Sequence, residues 1–122
     1  MDPLRRVITF DKGLALLEVV KELQKLDREV PAQVVCTYLY VATHDGCHSQ
    51  AMMEDLELTA ASASRNTDWL TKKHRLGKSG LDLIVKEIDP SNRRRQILRL
   101  TPKGKHLIHS ICGTLYGDHD MG

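Results

Sequence analysis

Aromatic side chains are scarce in this sequence, 4% of it, with one tryptophan, three tyrosines and one phenylalanine. Surfaces that stack successive unpaired bases use several rings, so a stacking platform for single strands is not expected. No run of about 18 apolar residues occurs, which argues against a membrane span and a membrane partner. The opening Met1-Asp2-Pro3-Leu4-Arg5-Arg6 lacks the apolar stretch of a secretory signal, and a cytoplasmic location is expected. Cysteine is limited to Cys36, Cys47 and Cys112, an odd number at irregular spacing, which predicts reduced thiols rather than a disulfide framework. The sequence also lacks a phosphate loop, a nucleophile elbow and an evident pair of catalytic carboxylates. No catalytic residue is assigned, and the protein is not expected to be an enzyme. Repeats, low-complexity tracts and Pro/Gly/Ser-rich linkers are missing too. The 122 residues are therefore read as a single domain, too short for a doubly wound enzyme or a barrel.

Charge is present in both signs but unevenly spread. The 18 basic and 16 acidic side chains leave a net charge of +2. Residues 1–58 carry 6 basic and 10 acidic groups, residues 59–105 carry 12 and 4, and residues 106–122 carry 2 acids and no Lys or Arg. A basic block on a nearly neutral chain suggests a surface that meets a polyanion. A solvated face with counterions elsewhere on the fold gives the same count.

Helical spacing dominates the first half. Leu14, Leu17, Val20, Leu23 and Leu26 recur at three and four residues, predicting a first helix over about 11–26 with one apolar face. Pro31 opens a second helix whose Val34, Val35, Leu39, Val41 and Ala42 make it apolar nearly all round, as in a buried central helix. Cys36 is expected to pack there, and Cys112 on a later helix, as small hydrophobes. Gly46 is a plausible left-handed cap. Ser49 caps a short third helix ending near Leu56, and Thr59 caps a fourth over about 60–74. Helices three and four form a helix-turn-helix pair, whose second member can lie in a DNA major groove. The small residues Ala60, Ala61, Ser62, Ala63 and Ser64 let its backbone approach the bases.

A β-ribbon follows. Residues 81–88 and 96–100 read as strands around the turn Asp89-Pro90-Ser91-Asn92, with Arg93, Arg94 and Arg95 at the tip. Three guanidinium groups repel one another, and such a tip suits a minor groove of negative potential. One of them is expected to turn back to Asp89 and brace the hairpin. Thr101 and Pro102 then start a last helix carrying Leu107, Ile108, Ile111, Cys112 and Leu115. The fold class is mainly α with a two-stranded β-wing (α+β), a winged helix-turn-helix. Trp69 is read as core. His44, Cys47 and His48 cluster, but their spacing matches no recurrent zinc pattern and a fourth ligand is missing, so no metal or cofactor is expected. Cys47 is a credible exposed thiol, with His48 its only close activating neighbour.

Two stretches resemble the MarR family of winged-helix transcriptional regulators. Leu58-Thr59-Ala60-Ala61-Ser62-Ala63-Ser64-Arg65 is similar to the start of the family's recognition helix, and Leu70 with Lys72-Lys73 to its end. The wing run Asp89-Pro90-Ser91-Asn92-Arg93-Arg94, followed by Leu100-Thr101-Pro102-Lys103-Gly104, is the more specific likeness, with Asn92 where an aspartate is usual. Glu57 stands at a turn position often held by glycine, His74 replaces another glycine, and about six extra residues precede the wing.

The resemblance implies a sequence-specific regulator that binds double-stranded DNA as a homodimer. The helix over about 60–74 would enter the major groove and the wing over about 81–100 the minor groove. Ser62, Ser64, Arg65 and Asn66 form the groove-facing set, since arginine pairs with guanine and asparagine with adenine. Asn66, beside Trp69 and Leu70 at helical spacing, is open to an inward placement as well. Ser49 and Gln50 would hold phosphate at the start of the third helix. Lys72, Lys73 and Arg75 would contact the backbone. The first helix is expected to contribute to the dimer, because the C-terminal tail is short. A winged-helix protein adaptor and a non-specific architectural or replication-associated DNA binder remain the alternatives.

Overall fold

The computed structural model describes residues 6–73 and 77–117. Five helices and three short strands follow in the order α1 (Asp11–Gln24), α2 (Ala32–Thr43), β1 (Cys47–His48), α3 (Ser49–Asp55), α4 (Ala60–Leu70), β2 (Ile84–Asp89), β3 (Asn92–Leu100) and α5 (Pro102–Tyr116). No helix among the described residues is long and apolar enough to cross a membrane.

α2 is central. Val34, Thr37, Tyr38, Tyr40 and Val41 are buried, whereas Ala32, Gln33, Cys36 and Thr43 are exposed. The helix is therefore amphipathic rather than enclosed on all sides, and Cys36 lies at the surface instead of in the core. The core gathers Tyr38, Met52, Leu70, Leu83, Ile84 and Leu98 around it, all below 2% exposed. Tyr38 ties α2 to the first turn of α5, its hydroxyl donating to the Gly104 carbonyl at 2.7 Å. Burial pushes its phenol well above the usual range. Gly104 admits no side chain, since a Cβ there would lie 2.1 Å from the Leu83 carbonyl oxygen.

α1 differs most from its expected packing. Val19 and Leu23 face the body, while Leu14, Leu17 and Val20 of the expected apolar face are exposed. Among the described elements α5 packs most closely on α1, and a single strip of α1 is covered. Val7, Ile8 and Phe10 just before α1, and Leu115 and Tyr116 at the end of α5, are exposed as well.

Antiparallel strands form a sheet in the order β1-β3-β2. The expected two-stranded ribbon thus gains a third strand, with Cys47 paired to Leu98 and His48 to Ile97. A two-residue strand is too short to leave a periodic signal. Thr101 caps α5, its Oγ1 accepting from the Gly104 N–H at 2.9 Å.

Candidate nucleic-acid interface

α4 starts on the cap expected for it. The Thr59 Oγ1 accepts from the Ser62 N–H at 3.1 Å. The turn before it is a left-handed helix stop. Glu57 takes φ 55°, its N–H donates to Glu54 O, and the Leu58 N–H reaches back to Met53 O at 2.9 Å. Glutamate occupies a position where glycine carries no strain. α4 ends at Leu70, four residues before its expected end, because the chain folds back on it. The N–H groups of Leu81 and Leu83 bind the carbonyls of Trp69 and Leu70, and Gly80 N–H binds Lys72 O. Those bonds satisfy the carbonyls of the last turn.

The expected groove-facing set divides. Ala60, Ala61, Ser64 and Arg65 are exposed and Ser62 is half-buried. Arg65 donates through Nη2 to Ser62 Oγ at 3.1 Å, so it lies along the helix surface toward its N-terminus. Asn66 leaves the set. It is 6% exposed, and its amide turns to Thr37 Oγ1 at 3.4 Å and Gln33 Oε1 at 3.5 Å on α2. The same helical phase that places Ala63, Thr67 and Leu70 inward takes Asn66 with them. Trp69 is half-buried against the core, with Nε1 donating to Asp27 Oδ2 at 2.8 Å. Lys72 and Lys73 are exposed just beyond the helix, and Arg75 lies outside the described residues.

The wing is sharper than expected. Pro90 and Ser91 alone form the turn, closed by Asp89 Oδ1 on the Ser91 N–H (2.8 Å) and Asn92 Oδ1 on the Arg94 N–H (3.1 Å). The arginines therefore belong to β3, not to the turn. Asp89 pairs with Asn92 and Ile88 with Gln96, so Arg93, Arg94 and Arg95 bulge together from the ladder. All three are exposed, and none makes an ion pair among the described residues.

Asp89 is not braced by an arginine. Its partner is His48, whose Nε2 stands 2.8 Å from Asp89 Oδ2. The Ser91 N–H and then His48 hold the Asp89 carboxyl below its usual range. Two nearby carboxylates are likewise engaged, Asp68 with Lys86 Nζ at 2.6 Å and Glu87 with Arg99 Nε at 2.9 Å. Among the described residues no carboxylate pairs with the wing arginines to offset their positive field. Burial pushes the Cys47 thiol up, away from thiolate, and its neighbour His48 is turned to Asp89.

α3, α4 and β3 meet around two adjoining clefts. One, about 130 Å³, includes Ser49, Ala60, Ser64 and Gln96 in its lining. The other, about 260 Å³, is lined by His48, Ser49, Gln50, Arg94, Arg95 and Gln96. Ser49 is the first helical residue of α3, and His48 rather than Ser49 is the cap position. The N-terminal half of α4, the start of α3 and the wing cations consequently occupy one continuous face. Gln96 is common to both clefts, a residue that sequence reasoning missed. Its alternation with Leu98 and Leu100, a polar group ending an apolar stripe, is the signal that marks it.

The architecture is shared with solved regulators. The chain superposes on S. aureus MepR in a DNA complex with a TM-score of 0.66 at 18% identity, covering 84% of this chain and 77% of that one. MarR gives 0.62 at 22% identity, over 84% and 70% of the two chains. The fold is the MarR-type winged helix. A MarR-like regulator from Thermotoga maritima shares it at a TM-score of 0.61 and 21% identity, over 92% of this chain and 78% of that one. By sequence, no family model and no curated protein matches the chain.

Proposed function

We propose that this chain is a sequence-specific transcriptional regulator that binds double-stranded DNA as a homodimer, the whole chain acting as one winged-helix domain. The observation that carries the reading is the shared face. Ser49, Ser64 and Gln96 line one cleft, and Arg94 and Arg95 continue it along the wing. A duplex is the polyanion whose shape offers a groove to the helix and another to the ribbon. DNA is also what MepR, a structural relative, is bound to.

In this reading α4 lies in the major groove, with Ser62, Ser64 and Arg65 toward the bases. Arg65 suits guanine and the serines suit phosphate or base edges. Ser49 and Gln50 take a backbone phosphate, and Lys72 and Lys73 contact the backbone beyond α4. Arg93, Arg94 and Arg95 enter the adjoining minor groove. The exposed apolar stripe of α1, with Phe10, Leu115 and Tyr116, is the dimer contact. Two-fold symmetry then calls for a two-fold site.

Selection of bound sequences from a random DNA pool tests the proposal. A regulator prefers one palindromic site by about a thousandfold or more over random DNA. Equal binding to all sequences would make the protein an architectural binder, and no binding would make it a protein adaptor.

A further inference from the structure

The wing has an inner face that runs past the core. Direct cross-strand partners share a side of a ribbon, and residues two apart share it again. Ile84↔Leu100, Lys86↔Leu98 and Ile88↔Gln96 are therefore one row. Ile84, Leu98 and Leu100 are buried in that row, and Lys86 reaches Asp68 of α4. The row thus faces the body of the protein and meets α4 at Lys86 and again at Gln96, in the cleft shared with Ala60 and Ser64. Its last pair lies beyond the core, where Ile88 is 66% exposed and Gln96 is exposed. A large aliphatic side chain on a charged ribbon gains nothing from water there.

We propose that Gln96 and Ile88 together read one A·T pair at the edge of the major groove occupied by α4. The proposal rests on the DNA-binding reading above and names a base preference within it. The Gln96 side chain lines the same cleft as Ala60 and Ser64 of α4, which places it beside the groove-facing half of that helix. A glutamine amide donates and accepts at once, matching N6 and N7 of adenine. The thymine of the same pair presents a methyl group in the same groove, and an aliphatic side chain is the group that recognises it. Partners of this kind hold their Cβ atoms about 4.5–5.5 Å apart, so one amide and one aliphatic tip can meet the two halves of one base pair. Arg94 and Arg95 line the adjoining cleft with Gln96 and supply the phosphate attraction that seats the pair.

The test uses the full chain and a duplex carrying the site it selects. Wild type is expected to enrich one A·T position in each half-site outside the bases set by α4. Gln96→Ala should lower discrimination at that position about tenfold. Replacing that thymine by deoxyuridine, which removes only the methyl group, should weaken wild type several-fold. Ile88→Ala should bind the thymine and deoxyuridine duplexes equally. Retention of the A·T preference by Gln96→Ala, or indifference of wild type to the missing methyl, overturns the proposal. A wild-type protein that enriches no sequence refutes the regulator reading instead.

Discussion

His48 Nε2 and Asp89 Oδ2 stand 2.8 Å apart and join strand β1 to the turn end of the wing. The bond spans 41 residues of chain and fixes the wing against the start of α3. Asp89 is taken by His48 and the Ser91 N–H, and Arg93, Arg94 and Arg95 make no ion pair among the described residues.

Acid should loosen the wing. The folded Asp89 carboxyl titrates lower than in an unfolded chain, where about 3.9 is usual. A depressed carboxylate contributes stability that is fully present above the unfolded value and is lost as pH falls through the folded one. Hydrogen-exchange protection of the wing amides should hold above about pH 4 and decline below it. Asp89→Asn should flatten that dependence. An identical acid profile in the variant would assign the decline to other groups.

Glu57→Gly should stabilise the protein. Glu57 sits at φ 55° in the stop between α3 and α4, and removing the left-handed strain is worth about 1 kcal/mol. A chemical melt with unchanged slope and a higher midpoint is the expected result. An unchanged or lower midpoint would show that the glycine's added freedom in the unfolded chain offsets the gain.

Replacing Arg93, Arg94 and Arg95 together by alanine should weaken DNA binding and flatten its salt dependence. Every phosphate that the variant no longer neutralises makes the log–log slope shallower by about 0.9. Because all three arginines are exposed and unpaired among the described residues, the melting temperature should barely change. Equal affinity of the variant and wild type at two salt concentrations would remove the wing from the interface.

Leu17→Glu should convert the proposed homodimer to a monomer. Leu17 is 54% exposed on the α1 stripe, so the charge costs the isolated chain little and costs a packed dimer interface much. Sedimentation velocity should show the halved mass, and binding to a palindromic site should fall more than binding to a half-site. A variant that stays dimeric would place the interface elsewhere.

Local chemistry was legible in the sequence wherever neighbours in the chain set the geometry. Thr59 and Thr101 cap their helices because a cap needs only the next three residues. Glu57 stands where glycine is usual, and it adopts the left-handed backbone that such a place demands. The run Asp89–Asn92 forms its turn through Asx side chains that bond two residues ahead. The charge block of residues 59–105 and the winged-helix fold belong to the same legible level.

Tertiary structure alone decided the rest. Asn66 and Arg65 are adjacent polar residues on one helix, and only the position of α2 sends one to Thr37 and leaves the other in solvent. Asp89 has three arginines close in sequence and bonds instead to a histidine 41 positions away, because the third strand brings His48 to the wing. The alternation of Gln96 with Leu98 and Leu100 is local, but only the packing of α3 and α4 beside β3 puts Gln96 in a cleft with Ala60 and Ser64. Caps and turns close over a few residues, whereas partners of buried or bridging polar groups are chosen by which elements the core packs together.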